Sequence, residues 1–196
     1  MGYGLSVYCV TREALTRVYG KNDVALLKEA LDAIGSKLAR YDRELGAPDP
    51  DDDADISHED ALREIFAGRF TPHVRGSRYG WALEALCGFL GDWLDNGPFV
   101  PCSHQWYTDL DEVLEAHGVP LQFTDLTMRP VLPIPEPDDW PCIGFWDAQD
   151  FEAIDALEAC MPKVEDRQVK AAFEAASGWI RYALARPGSL IVGFHG

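Results

Sequence analysis

Apolar runs with strand character stand near both ends of the chain and almost nowhere between: Tyr3-Gly-Leu-Ser-Val-Tyr-Cys-Val10 and Ser189-Leu-Ile-Val-Gly-Phe194. The backbone N–H and C=O groups of a buried strand need partners, and terminal segments fray unless a sheet ties them down. With so few other strand candidates, the pattern predicts that Leu5–Val10 and Leu190–Phe194 share one sheet. Ile143-Gly-Phe-Trp146, a short apolar run, is the third strand candidate. The rest reads mostly as helix. The expected fold class is therefore α+β: a small sheet from the N- and C-terminal strands plus a strand near 143–146, covered by about six helices. Length predicts a single globular domain, 1–196.

Between the ends, apolar residues recur at helical spacing. Thr11 can cap a short helix that Gly20 stops. Asn22 or Asp23 starts a longer one, in which Val24, Leu27, Leu31, Ile34, Leu38 and Tyr41 share a face, and Gly46 and Pro48 end it. Ser57 followed by Asp60 has the capping-box pattern and opens a helix through Phe66. The run Tyr79–Leu94 reads as the most buried helix, with Leu83, Leu86, Leu90 and Trp93 expected in the core. Gly80, Glu84, Gly88, Gly91 and Asp95 form the remaining stripe. A glycine inside a helix costs about 1 kcal/mol relative to alanine, so this stripe implies either the close approach of a neighbour or plain solvent exposure. Next come an aromatic loop, Phe99–Tyr107, a short helix to about His117 and an ambiguous stretch over 121–128. The segment from Pro130 to Pro141 carries five prolines and must be extended. Asp147 caps a helix bearing Phe151, Ile154 and Leu157. The last helix, about Asp166 to Ala185, places Val169, Phe173, Ile180 and Leu184 on one face.

Charge limits the partners. There are 17 Lys plus Arg against 33 Asp plus Glu, a net charge of −16. Such a field repels phosphate backbones and anionic lipid. It argues against nucleic-acid and membrane-surface binding and favours a basic protein partner. No apolar run reaches the roughly 18 residues of a membrane span, and no basic, then apolar, leader pattern is visible. The expected location is the cytoplasm. The five cysteines (Cys9, Cys87, Cys102, Cys142 and Cys160) are scattered, without a CxxC pair. In a reducing compartment they read as small buried hydrophobes.

Three places hold residues capable of chemistry. The acidic stretch Asp49–Asp60 has carboxylates at positions one, three, five and twelve of a calcium-loop pattern. However, Ala54 stands where the turn glycine belongs, Pro50 stiffens position two, and Asp60 is shorter than the usual bidentate Glu. It reads as a solvated linker. Cys102, His104, Cys142, His73 and His195 are of metal-ligand type, but paired ligand spacing is missing, and no metal is expected. A Cys102–His nucleophile pair would need spatial contact. The third place is a pocket between the aromatic segments 99–107 and 140–147, with His104, Trp106, Tyr107, Trp146, Asp147 and His195 as candidate ligand-binding residues. Phosphate-binding glycine loops, GxSxG elbows and HExxH pairs are absent from the sequence. No cofactor and no catalytic residue are therefore expected.

Four runs resemble an uncharacterised bacterial family of actinobacteria and myxobacteria, known as a domain of unknown function. They are Tyr3–Val10, Tyr79-Gly-Trp-Ala-Leu-Glu-Ala-Leu-Cys87, Pro137-Asp-Asp-Trp-Pro-Cys-Ile-Gly-Phe-Trp146 and Leu190-Ile-Val-Gly-Phe-His195. In its strand-first, strand-last plan the chain also resembles, more distantly, the YfbM-like family. These motifs are apolar, so the resemblance implies a shared fold and supplies no catalytic residues. Two function classes follow from the sequence. One is a non-enzymatic cytosolic interaction module, immunity-type or regulatory, that binds a basic protein through an acidic surface. The other is a small-molecule-binding protein or enzyme using the aromatic pocket. Convergence of His104, Asp147 and His195 in a concavity would favour the second.

Overall fold

The computed structural model describes residues 4–49, 51 and 55–196. In chain order the elements are β1 (Leu5–Thr11), α1 (Arg12–Val18), α2 (Val24–Leu45), α3 (His58–Ala67), α4 (Gly76–Leu90), β2 (Asp92–Leu94), α5 (His104–Ala116), α6 (Asp125–Met128), β3 (Cys142–Trp146), α7 (Ala148–Phe151), α8 (Ile154–Cys160), α9 (Arg167–Leu184) and β4 (Ser189–His195). Among the described residues this is an α+β fold, nine α-helices with a four-stranded antiparallel sheet. The helices beyond the expected six include the single turns α6 and α7. The described residues gather into two compact units.

The first unit comprises residues 4–12, Trp93–Val131 and Ile143–Gly196. Its sheet has the order β2-β1-β4-β3. The end segments pair as the sequence predicts: β1 and β4 run antiparallel, from Leu5 opposite His195 to Thr11 opposite Ser189. Gly4 and Gly196 close the ladder with reciprocal backbone hydrogen bonds of 3.2 and 3.1 Å. Every residue of β4 is buried, which explains its uninterrupted apolar sequence; a strand covered on both faces has no polar alternation to show. α9 presents Phe173, Ala176, Trp179 and Ile180 to the core. Phe99, Phe123, Trp146, Phe173 and Trp179 pack together there with ring centroids 5.2–6.3 Å apart. The indole N–H groups of Trp146 and Trp179 donate to the carbonyls of Gln122 and Asp95, both at 2.7 Å.

The ambiguous stretch at 121–128 is a turn followed by α6, and two strand glycines hold it. A Cβ on Gly144 would lie 1.9 Å from the Asp125 carbonyl oxygen, and one on Gly193 would lie 2.6 Å from that of Leu126. Glycine inside a strand marks such close backbone approach. Asp111 of α5 fixes the same turn, accepting from the Phe123 amide, from the Thr124 amide at 3.2 Å and from the Thr124 hydroxyl at 2.6 Å.

The second unit comprises Glu13–Asp92 and Leu132–Cys142. Asp23 and Ser57 cap α2 and α3 as predicted, and Gly68 ends α3 in the left-handed conformation, φ 63°. Helices α2, α3 and α4 pack on one another through Leu38, Tyr41, Leu62, Ile65, Leu83 and Leu86. α4 departs from the predicted Tyr79–Leu94. It starts at Gly76 and stops at Leu90; Leu90 is half-buried, and Trp93 is 57% exposed in β2 rather than buried in a helix. Both readings of the glycine stripe hold, at different positions. A Cβ on Gly80 would meet Pro141 Cδ at 2.8 Å, whereas Gly88 is exposed. Gly76 is tighter still, its Cβ position 1.8 Å from the Glu136 carbonyl oxygen. The proline-rich segment therefore lies directly on α4.

Polar groups are also buried in this unit. Glu84 is 4% exposed, accepts from the Tyr41 hydroxyl and pairs with Lys37 Nζ at 3.1 Å. Arg78 is 5% exposed. It reaches Asp55 Oδ1 through Nε at 3.1 Å and Nη2 at 2.9 Å, and donates to the Gly46 carbonyl at 2.7 Å. Asp55 also accepts from the Asp49 amide at 3.0 Å. Burial pushes the Asp55 carboxyl up, but the Asp49 amide and the Arg78 guanidinium outweigh it and hold it below its ordinary value. One end of the acidic stretch is thus an anchor rather than a solvated linker. Pro50, Asp52, Asp53 and Ala54 lie outside the described residues, so the calcium-loop pattern through them is not defined here.

Candidate functional site

Ser103 precedes α5, so His104, Trp106 and Tyr107 stand on its first turn rather than in a loop as the sequence suggested. The antiparallel pairing brings His195, the last residue of β4, to the same place. Tyr107 Oη lies 2.8 Å from His195 Nδ1 and 3.3 Å from Cys102 Sγ; Cys102 Sγ and His195 Nδ1 are 3.9 Å apart. The tyrosine oxygen therefore sits between the other two groups, able to donate to one while accepting from the other. The His104 ring packs against Tyr107 and His195 at 5.8 and 6.1 Å, and its Nε2 lies 3.4 Å from Thr127 Oγ1 on α6.

Burial favours the uncharged forms of His195 and Cys102. Burial, reinforced by the neighbouring His104, pushes the His195 imidazole down to about 4. Burial pushes the Cys102 thiol up, only partly opposed by its contacts with Tyr107 and the Leu5 backbone. A protonated thiol is a poor nucleophile, so the cluster holds Cys102 rather than activating it. The imidazole makes a prediction. Its folded value lies below the ordinary 6.5, so the unfolded chain binds more protons between the two values. Stability is expected to be full above pH 6.5, to fall as pH drops toward 4, and to level off below that. This group alone should contribute a loss of about 3 kcal/mol. Urea titrations of the wild type and of His195→Gln across this range check it: the difference between the two should shrink with falling pH, and a constant difference would count against it.

Asp147 does not join this group. It caps α7 within a capping box and pairs with Arg12 at 3.2 Å and Arg129 at 3.3 Å. Trp146 is fully buried in the aromatic core. Of the six candidate residues, the structure thus brings His104, Tyr107 and His195 together with Cys102. Trp106 lies beside them, at a cavity of about 520 Å³. This cavity lies between the segment at 97–106 and the first turn of α9, with Trp106, Val100, Ala171, Cys102, Ser103 and Arg167 on its walls; Trp146 and Asp147 are not among its lining residues. Arg167 was not a sequence candidate, and nothing in its local sequence distinguishes it from a surface arginine. Cys142 and His73 fall in the second unit. Among the described residues no group of three or more His, Cys, Asp or Glu side chains is arranged to hold a metal ion.

A second cavity, of about 670 Å³, opens beside the other end of α5. Asp111, Glu112 and Glu115 of α5 line it with Asp125 of α6 and Asp150 of α7, and no Lys, Arg or His does so. Burial raises the carboxyls of Asp111 and Asp125 above their ordinary values; at Asp125, Arg129 opposes this while Asp150 and Asp111 add to it. Arg129 pairs with Asp150 at 2.9 Å and with Asp125 at 3.7 Å, offsetting part of the charge from outside the cavity. Sequence reasoning passed over these residues, although one signal was available: α5 carries Asp109, Asp111, Glu112 and Glu115 without a single Lys or Arg. A helix of one charge sign lacks the internal pairs that make an exposed helix self-sufficient.

No curated protein and no solved structure matches the chain. A family model, described as "Domain of unknown function (DUF7691)", matches residues 1–196, and the chain belongs to that family.

Proposed function

We propose that the protein is a non-enzymatic interaction module that receives a basic segment of a protein partner in the acidic cavity beside α5. One observation carries this reading: five carboxylates, from three helices, surround a single cavity whose lining contains no cation. Burial raises the Asp125 carboxyl, and Asp150 and Asp111 add to the rise; a guanidinium or ammonium group entering the cavity would relieve that cost. The net charge of −16 adds a long-range field that speeds encounter with a basic surface and repels nucleic acid and anionic membrane. The five cysteines are free thiols, which suits a cytoplasmic setting.

The test compares equal changes of charge at two places. A short Arg-Gly repeat peptide is titrated calorimetrically into the wild type, into Glu112→Gln/Glu115→Gln, and into Glu29→Gln/Asp32→Asn on the exposed face of α2. The first pair should weaken binding about tenfold, roughly 1.4 kcal/mol, and flatten its salt dependence. The second pair should change affinity by less than about twofold, since distant exposed charges are screened. Equal losses in the two variants would reduce the effect to net charge and contradict the proposal.

A further inference from the structure

The cavity next to Cys102 has the opposite character. In a chain with 33 carboxylates, its lining contains none. Its one charged group is Arg167, whose guanidinium makes no ion pair or hydrogen bond with any described residue. Val100, Ala171 and the Trp106 ring supply apolar wall, and Cys102 and Ser103 supply neutral polar groups. The Trp106 indole N–H is shielded from solvent and has no hydrogen-bond partner among the described residues. Buried donors are seldom left unsatisfied, and those that are call for an explanation. The volume, about 520 Å³, falls within the range of small-molecule sites, which are mostly apolar with a few placed polar groups.

We infer that this cavity binds a small organic monocarboxylate with an apolar body, the carboxylate on Arg167 and the apolar body against Trp106, Val100 and Ala171. Arginine suits this role because its planar fork matches a carboxylate bidentately. The Cys102 thiol on the cavity wall suits it too. Held protonated, it places no negative charge beside the incoming carboxylate. The site is distinct from the acidic cavity, with no lining residue in common, so either can fail while the other stands.

The probe is 3-phenylpropionate, followed by ligand-observed NMR and calorimetry on the whole chain, with 3-phenylpropanamide and acetate as comparisons. The acid is expected to saturate below about 1 mM, in keeping with the affinity available to a ligand of its size. The amide should bind at least about tenfold more weakly for want of charge, and acetate likewise for want of apolar contact. Arg167→Ala, at an exposed helix position, should weaken the acid about tenfold and leave the amide unchanged. Ala171→Phe, which fills the cavity without altering charge, should abolish binding of both. Three results would overturn the inference: no saturable binding of the acid up to about 10 mM, equal binding of acid and amide, or an Arg167→Ala variant that binds the acid like the wild type.

Discussion

Removing residues 189–196 is expected to abolish folding of the sheet-bearing unit, not to trim its end. β4 lies between β1 and β3, so its loss leaves both neighbours with unpaired backbone groups. Leu190, Ile191, Val192 and Phe194 are each at most 2% exposed. Burying four such side chains contributes about 1.5–3 kcal/mol apiece, against a typical net stability of about 5–15 kcal/mol for a whole domain. The deletion also takes away His195 and with it the polar contact to Tyr107. Circular dichroism and amide NMR dispersion of the truncated chain check this. A soluble truncation with the wild-type thermal midpoint would show that β4 is an accessory strand.

In the second unit, Arg78→Ala is expected to cost about 3–5 kcal/mol, the usual penalty for breaking a buried ion pair from one side. The guanidinium holds Asp55 through two nitrogens, bonds the Gly46 carbonyl and lies 3.6 Å from Asp42. Asp42 in turn accepts from the amide of buried His58 and lies 2.6 Å from its Nδ1. Truncation would strand one carboxylate that is 12% exposed and another that is 21% exposed. Arg78→Lys should recover little, since an ammonium cannot reproduce the two-nitrogen contact and the carbonyl bond together. Urea titration gives the number; a loss below about 1 kcal/mol would mean that solvent replaces the arginine at little cost.

Much of this architecture is legible from residue pattern. The pairing of the two ends follows from apolar strands with few alternative partners, and the caps at Asp23, Ser57 and Asp147 follow from side chains that accept from early helix amides. The errors have physical causes. Gly76 counts against a helix by propensity, yet it lies inside α4, where the proline-rich segment approaches its bare backbone. By spacing, Trp93 and Leu94 prolong the helix, but the chain leaves it at Gly91 and turns Trp93 outward. Leu184 fits the face of α9 by spacing and is 53% exposed at its last turn. Three-residue strands and single helical turns such as β2 and α6 are set by tertiary packing, as the contact of α6 with Gly144 and Gly193 shows.

The site divides in the same way. His104 and Tyr107 were candidates because they lie in the aromatic segment 99–107, and His195 as a polar group that could converge on it; strand pairing joins them. Asp147 was a candidate for its charge, but its role as the cap of α7 was the better guide to its place. Carboxylates from α5, α6 and α7 meet at the acidic cavity only after folding, and no local pattern relates Asp125 to Asp150.

The central claim is that the acidic cavity, rather than the acidic surface at large, receives a basic segment. Amide chemical-shift mapping of the labelled full chain during titration with the Arg-Gly peptide tests it most directly. The account predicts shifts concentrated at residues 108–125 and at Asp150, saturating together with one affinity and absent from the exposed acids of α2. Shifts of similar size spread over α2, α3 and α9, without saturation, would contradict it.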